Sequence, residues 1–561
     1  MRYPECSFWH QEALAKRMDH GLSLIKYRSR QRLPILACVA ILLAACGGAQ
    51  DARQESVLNR GTAAEPESLD PQKARTVQAG DVQRDLGEGL TGYSSDGDLM
   101  LAAAERVEIS ADGLIYTFWL RPDGKWSNGE AVTATDFVYS FQRLVDPATA
   151  AFYAQQSLGD VVNAIEIIAG KRPVSDLAVE ALDDLRLQIT LNNPVPYFQR
   201  LLTHPSTFPA HRASVEAHGD AYARPGNLVT NGAYRLQAWK VGSYIELVRN
   251  EHYRENDKTA IDRVRHHVTP EEMAELNRYR AGELDITASV PSEAFEQMQN
   301  DRPDELRVSP YLAVYYYGFN VTKPPFKDNR KLRQALSMAI DREVLTTNVT
   351  GRGETPAYGW VPPGTANYES RKFLYANLTR AERHTKAREL FKEAGYDETN
   401  PLSVTIRYNT SDTHKRVAIA IQSMWDEVLG VETNLINEEF QVLLENIRAQ
   451  EITQVFLSGW TGDYDDAHAF LSILEGDNPS NMTGFSSDEY DSLMDRAGMQ
   501  KNPTLRQVYL EDAEKHLLSE HPIMPIYFLV NKNMVSPRVR GWGDNVLNYH
   551  YSQHLSLADT E

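Results

Sequence analysis

The chain has 561 residues, with 77 acidic against 58 basic side chains and a formal charge of −19. A surplus of negative charge argues against a nucleic-acid partner, since phosphates are held by basic groups that release their counterions. The length exceeds what a single hydrophobic core usually spans, so at least two domains are expected.

In chain order, the first readable element is an apolar run from Leu33 to Ala45, preceded by Lys26, Arg28, Arg30 and Arg32 and followed by Cys46. A basic flank, a short apolar core and small residues before the cysteine are what a secretory signal requires. The run is shorter than the about 20 apolar residues that cross a bilayer. Leu43-Ala44-Ala45-Cys46-Gly47 resembles a bacterial lipobox. The resemblance implies that 1–45 is a lipoprotein signal peptide and that Cys46 becomes the lipid-modified first residue. The protein would then work in the periplasm or cell envelope, lipid-anchored to a membrane; the competing reading is a buried apolar segment with a chance cysteine. Residues before Met18 fit no part of such a signal, so translation is expected to start there. From Cys46 onward there are 51 basic and 74 acidic residues, a charge of −23 that favours solubility. Cys6 and Cys38 fall before the cleavage point, which leaves no disulfide and no cysteine-based metal site. Residues 46–57 read as a flexible tether, with folded structure expected from Leu58.

No internal repeat is present, and the body mixes strand and helix signals. Tyr116 to Leu120, followed by the turn signals Pro122-Asp123-Gly124 and Lys125-Trp126-Ser127-Asn128-Gly129, predicts a hairpin region. Thr133 to Asp136 predicts a capped helix start, and Phe137, Phe141, Leu144 and Val145 carry its apolar face until Asp146-Pro147. Leu185, Leu187, Ile189 and Leu191 alternate with polar residues as in a half-buried strand. In the C-terminal half, Leu402, Val404, Ile406 and Tyr408 predict a strand. Val417, Ile421, Trp425 and Val428 predict a helix ending at Gly430, and Val431, Thr433 and Leu435 a second strand. Strand, helix, strand at this spacing implies a parallel pair with a crossover helix, and so an α/β fold class. A helix from Phe440 to Ile447 then leads to a strand through Val455, Phe456 and Leu457 that ends at Ser458-Gly459-Trp460. Ligands of open α/β sheets bind beyond the carboxyl ends of strands, so the loop Gly459 to Asp466 is where a ligand is expected.

Catalysis finds no constellation. The chain contains no H-E-x-x-H, no G-x-S-x-G and no phosphate-cradling loop ending in Gly-Lys-Ser or Gly-Lys-Thr. His266 and His267 lie in a strand-like stretch, where neighbours point to opposite faces and cannot easily share a metal. The expectation is a protein that is not an enzyme and carries no cofactor and no metal.

A series of blocks resembles one family. They run from Glu65-Pro66-Glu67-Ser68-Leu69-Asp70-Pro71 through Glu88-Gly89-Leu90, Asp112 to Phe118, Lys125 to Gly129 and Asp136 to Ser140. Thr230 to Tyr234, Tyr315 to Asn320, Arg333 to Leu336 with Ala339 to Arg342, and Gly459 to Tyr464 complete the series. In this order they resemble the extracytoplasmic oligopeptide-binding proteins of ABC importers, the family 5 solute-binding proteins. The resemblance implies a two-lobed periplasmic-binding-protein fold with an extra subdomain and a cleft and hinge between the lobes. Mapped on this chain, the first lobe comprises 58–77, 211–312 and 531–561, the subdomain 78–210 and the second lobe 313–530. It also implies the partners: an oligopeptide ligand and ABC permease subunits in the inner membrane, with the receptor itself a monomer.

The same resemblance assigns the site. Asp463 matches the carboxylate that holds the peptide's α-ammonium, and Trp460, with Gly459 and Thr461 beside it, a wall of the cleft. Tyr311 and Tyr316 match cleft tyrosines, and Glu65, Glu67 and Ser68 the strand edge that pairs with the ligand backbone. Asn231 and Gly232 read as a turn. Many relatives carry an arginine where this chain has Leu457, and Arg448 or Ile447 matches another family arginine, so ligand length stays open. Murein peptides, ordinary oligopeptides and peptide-like signals are all compatible, as are two other roles for the chain: an extracytoplasmic sensor or chaperone, and a lipoprotein peptidase.

Overall fold

The computed structural model describes residues 55–462, 464–476 and 478–558, without the side chains of Phe440 and Gln441. The signal segment, Cys46, most of the tether and Asp463 lie outside the described residues.

Strand Val57–Thr62 turns Leu58, Arg60 and Thr62 inward. It runs parallel to Arg263–Val268 at the edge of a four-stranded sheet completed by Tyr244–Arg249 and Tyr234–Lys240. Within Arg263–Val268 the two histidines do face opposite ways. His266 is buried 3.5 Å from Asp85, and His267 contacts Asn59 and Arg278. Gly61 has a steric role here, because a Cβ at that position would lie 1.5 Å from Oε1 of Glu275. Beneath this sheet, the backbone N–H and hydroxyl of Ser552 each donate to Asp85 at 2.7 Å, and Arg60 donates to the Ser552 hydroxyl at 2.9 Å.

A second sheet orders Ala104–Ile109, Ile115–Leu120, Arg186–Thr190 and Val179–Asp183. Helix Ala134–Val145 packs its buried Phe137, Phe141, Leu144 and Val145 on it. Its start is the expected capping arrangement, with Asp136 accepting from the Thr133 backbone at 2.8 Å. The expected hairpin after Leu120 does not form. Ile115–Leu120 already has a strand on each edge, Ala104–Ile109 and Arg186–Thr190, so the turns that follow close only a single bridge, Lys125 to Ala131. Leu187, Ile189 and Leu191 point inward as expected, while Leu185 precedes the strand and is 36% exposed.

The third sheet has six strands in the order Thr355–Pro356, Ile523–Met534, Leu306–Phe319, Val455–Thr461, Ser403–Asn409, Glu432–Glu438. Ser403–Asn409 and Glu432–Glu438 are parallel neighbours joined by helix Asp412–Leu429, which ends at a left-handed Gly430, as its sequence predicts. Leu306–Phe319 and Ile523–Met534 are antiparallel and run as the two chain crossings between this sheet and the first. Bridges from Ile286 to Arg60 and Val535 tie their outer ends to the first sheet. A register shift between Pro310 and Val314 interrupts the pairing midway. Among the described residues, no helix is long and apolar enough to cross a membrane.

Candidate functional site

A cavity of about 350 Å³ opens where the two crossings meet the three sheet-built parts. Helix Val77–Leu86 supplies Val77, Gly80, Asp81, Gln83 and Arg84 to one wall. This helix starts at Thr76, whose hydroxyl accepts from the Ala79 N–H, and Thr76 itself lines the cavity. Tyr153 and His204 come from the part built on the second sheet. Tyr311 and Leu312 come from a crossing strand, Asn531 and Val546 to Tyr549 from the return of the chain, and Thr461 and Gly462 from the end of Val455–Thr461. The cavity therefore abuts the carboxyl end of a strand of the largest sheet, where a ligand is expected.

The predicted residues separate into those that reach the cavity and those that do not. Tyr311 and Thr461 line it. Gly459 and Trp460 precede Thr461 on the same strand but do not line it; Trp460 is half-buried and donates its indole N–H to the Ala469 carbonyl at 2.7 Å. Tyr316 is fully in the core, edge-on to Trp360 with ring centres 4.9 Å apart. The split follows burial along this strand: every residue from Leu312 to Phe319 is buried, so both faces are covered at Tyr316, whereas Tyr311 lies just before that run and is half-buried. Glu65 accepts from the Trp239 indole and from the Gly242 N–H, which commits it to the first sheet. Glu67 accepts from the backbone of Arg75 and Thr76 and from the Thr76 hydroxyl. Burial pulls its carboxyl up, but these bonds outweigh that and leave it below its ordinary value. Ser68 accepts from the Asp70 N–H at 3.1 Å. Glu67 and Ser68 thus shape the segment before Thr76, while Glu65 is held at the first sheet. Arg448 is exposed on the last turn of helix Phe440–Ala449, away from the cavity, and its neighbour Ile447 is core. Asn231 closes no turn of its own; its side chain bridges both backbone groups of Glu88, and Gly232 after it packs against the backbone of Leu86 too closely for a Cβ.

Sequence reasoning missed Asp81, Arg84, His204 and the residues 546–549. The Asp81 and Arg84 spacing, three apart on a short helix, was the available signal. Arg84 Nη1 donates to Asp81 Oδ1 at 2.9 Å, and its guanidinium carbon lies 3.3 Å from the ring centre of Tyr549. Burial pushes the Asp81 carboxyl up despite the nearby arginine. Burial also pushes His204 down to about 3 and Tyr311 up to about 12, so both are neutral near pH 7.

The loop after Thr461 is braced on the part built around the second sheet. Tyr464 stacks on Tyr197 with centres 4.7 Å apart, and Asp465 sits 3.6 Å from Arg200. Asp466 takes the helix-capping role, accepting from the His468 N–H at 2.9 Å while Arg506 donates two bonds to it at 2.8 Å. Burial pulls the Asp466 carboxyl up, and Arg506 more than reverses this.

Residues 98–482 match the family described as bacterial extracellular solute-binding proteins, family 5 Middle. The chain is 39% identical over 508 residues to the periplasmic oligopeptide-binding protein OppA of Escherichia coli strain K12, covering 90% of this chain and 93% of the relative. Among solved structures, the unliganded open form of the murein tripeptide binding protein MppA superposes with a TM-score of 0.84 at 36% identity, over 90% of this chain and 98% of that one. The Haemophilus influenzae OppA complex with the peptide RPPGFSPFR gives 0.70 at 36% identity, over 90% and 99%.

Proposed function

The chain belongs to the family 5 bacterial extracellular solute-binding proteins and shares their two-lobed fold, and from that premise we propose that it captures oligopeptides between its lobes and delivers them to an ABC permease. The observation that carries this reading is the cavity itself. Its walls come from all three parts of the proposed division, with a first lobe of 58–77, 211–312 and 531–561, a subdomain of 78–210 and a second lobe of 313–530. A ligand held there touches both lobes at once and so favours the closed arrangement over the open one.

Affinity for varied peptides must come from what all peptides share. The backbone amides can pair with the chain around the cavity in the manner of strand addition. The α-ammonium is assigned to Asp463, next in sequence to the cavity-lining Thr461 and Gly462. Hydrated side-chain pockets then accept different residues at little cost, because ordered water is inexpensive to keep. Titration with short peptides, followed by small-angle scattering, tests the reading: binding without turnover, and a modest compaction, are expected. Peptide hydrolysis, or saturation with an unchanged scattering curve, would count against it.

The anchor is part of the same proposal. Cys46 carries the lipid, so Cys46→Ser is expected to yield unprocessed or soluble protein. Metabolic labelling with palmitate reads this directly, and label equal to wild type would exclude Cys46 as the acceptor.

A further inference from the structure

Asp81 is the solvent-side member of a charged pair inside the cavity. Its side chain is 37% exposed, whereas Arg84, bonded to it at 2.9 Å, is only 6% exposed and lies against Tyr549. Both line the cavity. Among the described lining residues no other acidic or basic side chain occurs apart from His204, which burial keeps neutral. The arginine is thus withdrawn beneath an aromatic ring while the carboxylate faces the open space, so a ligand entering from solvent meets the negative charge first.

Two further features of this wall suit a long basic side chain. Val77, one turn earlier on the same helix and 65% exposed, lines the cavity and offers apolar cover for an aliphatic stem. The formal charge of −23 from Cys46 onward raises the local concentration of cationic ligands.

On the reading that this cleft takes oligopeptides, we propose that Asp81 binds a basic ligand side chain and makes the protein prefer peptides carrying lysine or arginine at one position. A second cation beside the carboxylate also eases the burial that otherwise pushes its protonation up. Arg84, with Arg60 farther off, opposes its charge from the protein side; the incoming ammonium completes the pair from the front.

The test is calorimetric titration with tetra-alanine peptides in which each position in turn is lysine or norleucine, a side chain of similar length without the charge. At one position wild type is expected to bind the lysine peptide about tenfold more tightly than the norleucine peptide, and Asp81→Asn to bring that ratio to within about twofold. Asp81→Ser provides the same ratio should the amide disturb Arg84. A ratio near one at every position in wild type, or a preference that survives in both variants, overturns the assignment while leaving peptide binding intact. Failure of wild type to bind any member of the set overturns the peptide reading and this assignment together.

Discussion

Asp463→Asn is expected to lower affinity for a free-amine oligopeptide by about thirtyfold to several thousandfold. The substitution keeps the shape of the side chain and removes its charge, and an ammonium closed into the cleft without its counter-charge costs about 2 to 5 kcal/mol. In the proposed arrangement the pair would be charge-assisted and desolvated on closure, and so worth more than an ion pair on the surface. Acetylating the peptide's amino terminus removes the same interaction from the other side. Acetylation should therefore weaken binding strongly in wild type and little in the asparagine variant. Calorimetric titration of free and acetylated peptide against both proteins completes the cycle. Additive losses, or wild-type affinity in the variant, would place the ammonium elsewhere.

Glu275→Gln is expected to flatten the pH dependence of folding between about pH 4.5 and 7. Glu275 is 1% exposed, packed over Gly61, and its carboxylate accepts the Ala288 N–H at 2.8 Å. Burial raises its pKa from 4.5 to about 7; the Ala288 bond pulls the other way, Glu272 adds to the rise and Arg278 opposes it. Because the folded carboxyl holds its proton to higher pH than the unfolded one, the native state binds more protons in that window. Its contribution to stability is complete below the unfolded value and is lost as pH rises through the folded one. The loss is about 3 kcal/mol at most for a shift of this size. Denaturant unfolding of both proteins at pH 5 and pH 7.5 reads it as a difference between wild type and variant that changes with pH. A constant difference would show that Glu275 ionises in the folded protein as it does in the open chain.

The elements read most clearly from sequence are those whose signals are local. The capping pair Thr133 and Asp136 and the left-handed Gly430 need only their own neighbours, and the parallel unit from Ser403 to Glu438 needs only its crossover helix. The hairpin after Leu120 failed because its competitor, Arg186–Thr190, lies some 66 residues farther along and pairs with the edge the turn would have used. The site divides in the same way. Tyr311 and Thr461 reach the cavity, but Tyr316 is lost to the core because elements far away in sequence cover both faces of the run Leu312 to Phe319, which no reading of that strand alone reveals. Asp81, Arg84 and Tyr549 escaped notice because the contact that gives them meaning joins residues more than 460 apart.

The buried bonds among Arg60, Asp85 and Ser552 bear on the order in which the chain can be assembled. Arg60 and Asp85 lie early in the chain, yet their shared hydroxyl partner lies more than 460 residues behind them. Until residue 552 arrives, a buried arginine and a buried aspartate lack one of their bonds, and leaving such groups unsatisfied is costly. The backbone pairing of Ser403–Asn409 with Glu432–Glu438 draws on residues close in sequence, although the unit is completed by Val455–Phe456 beside it and by Leu336 against Trp425. Strand Val57–Thr62 can pair as soon as Arg263–Val268 is made, but the bonds beneath it close only when residue 552 arrives, so the first sheet forms before its buried polar groups are fully partnered. During that interval the acidic surplus of the chain helps to keep unfinished copies apart.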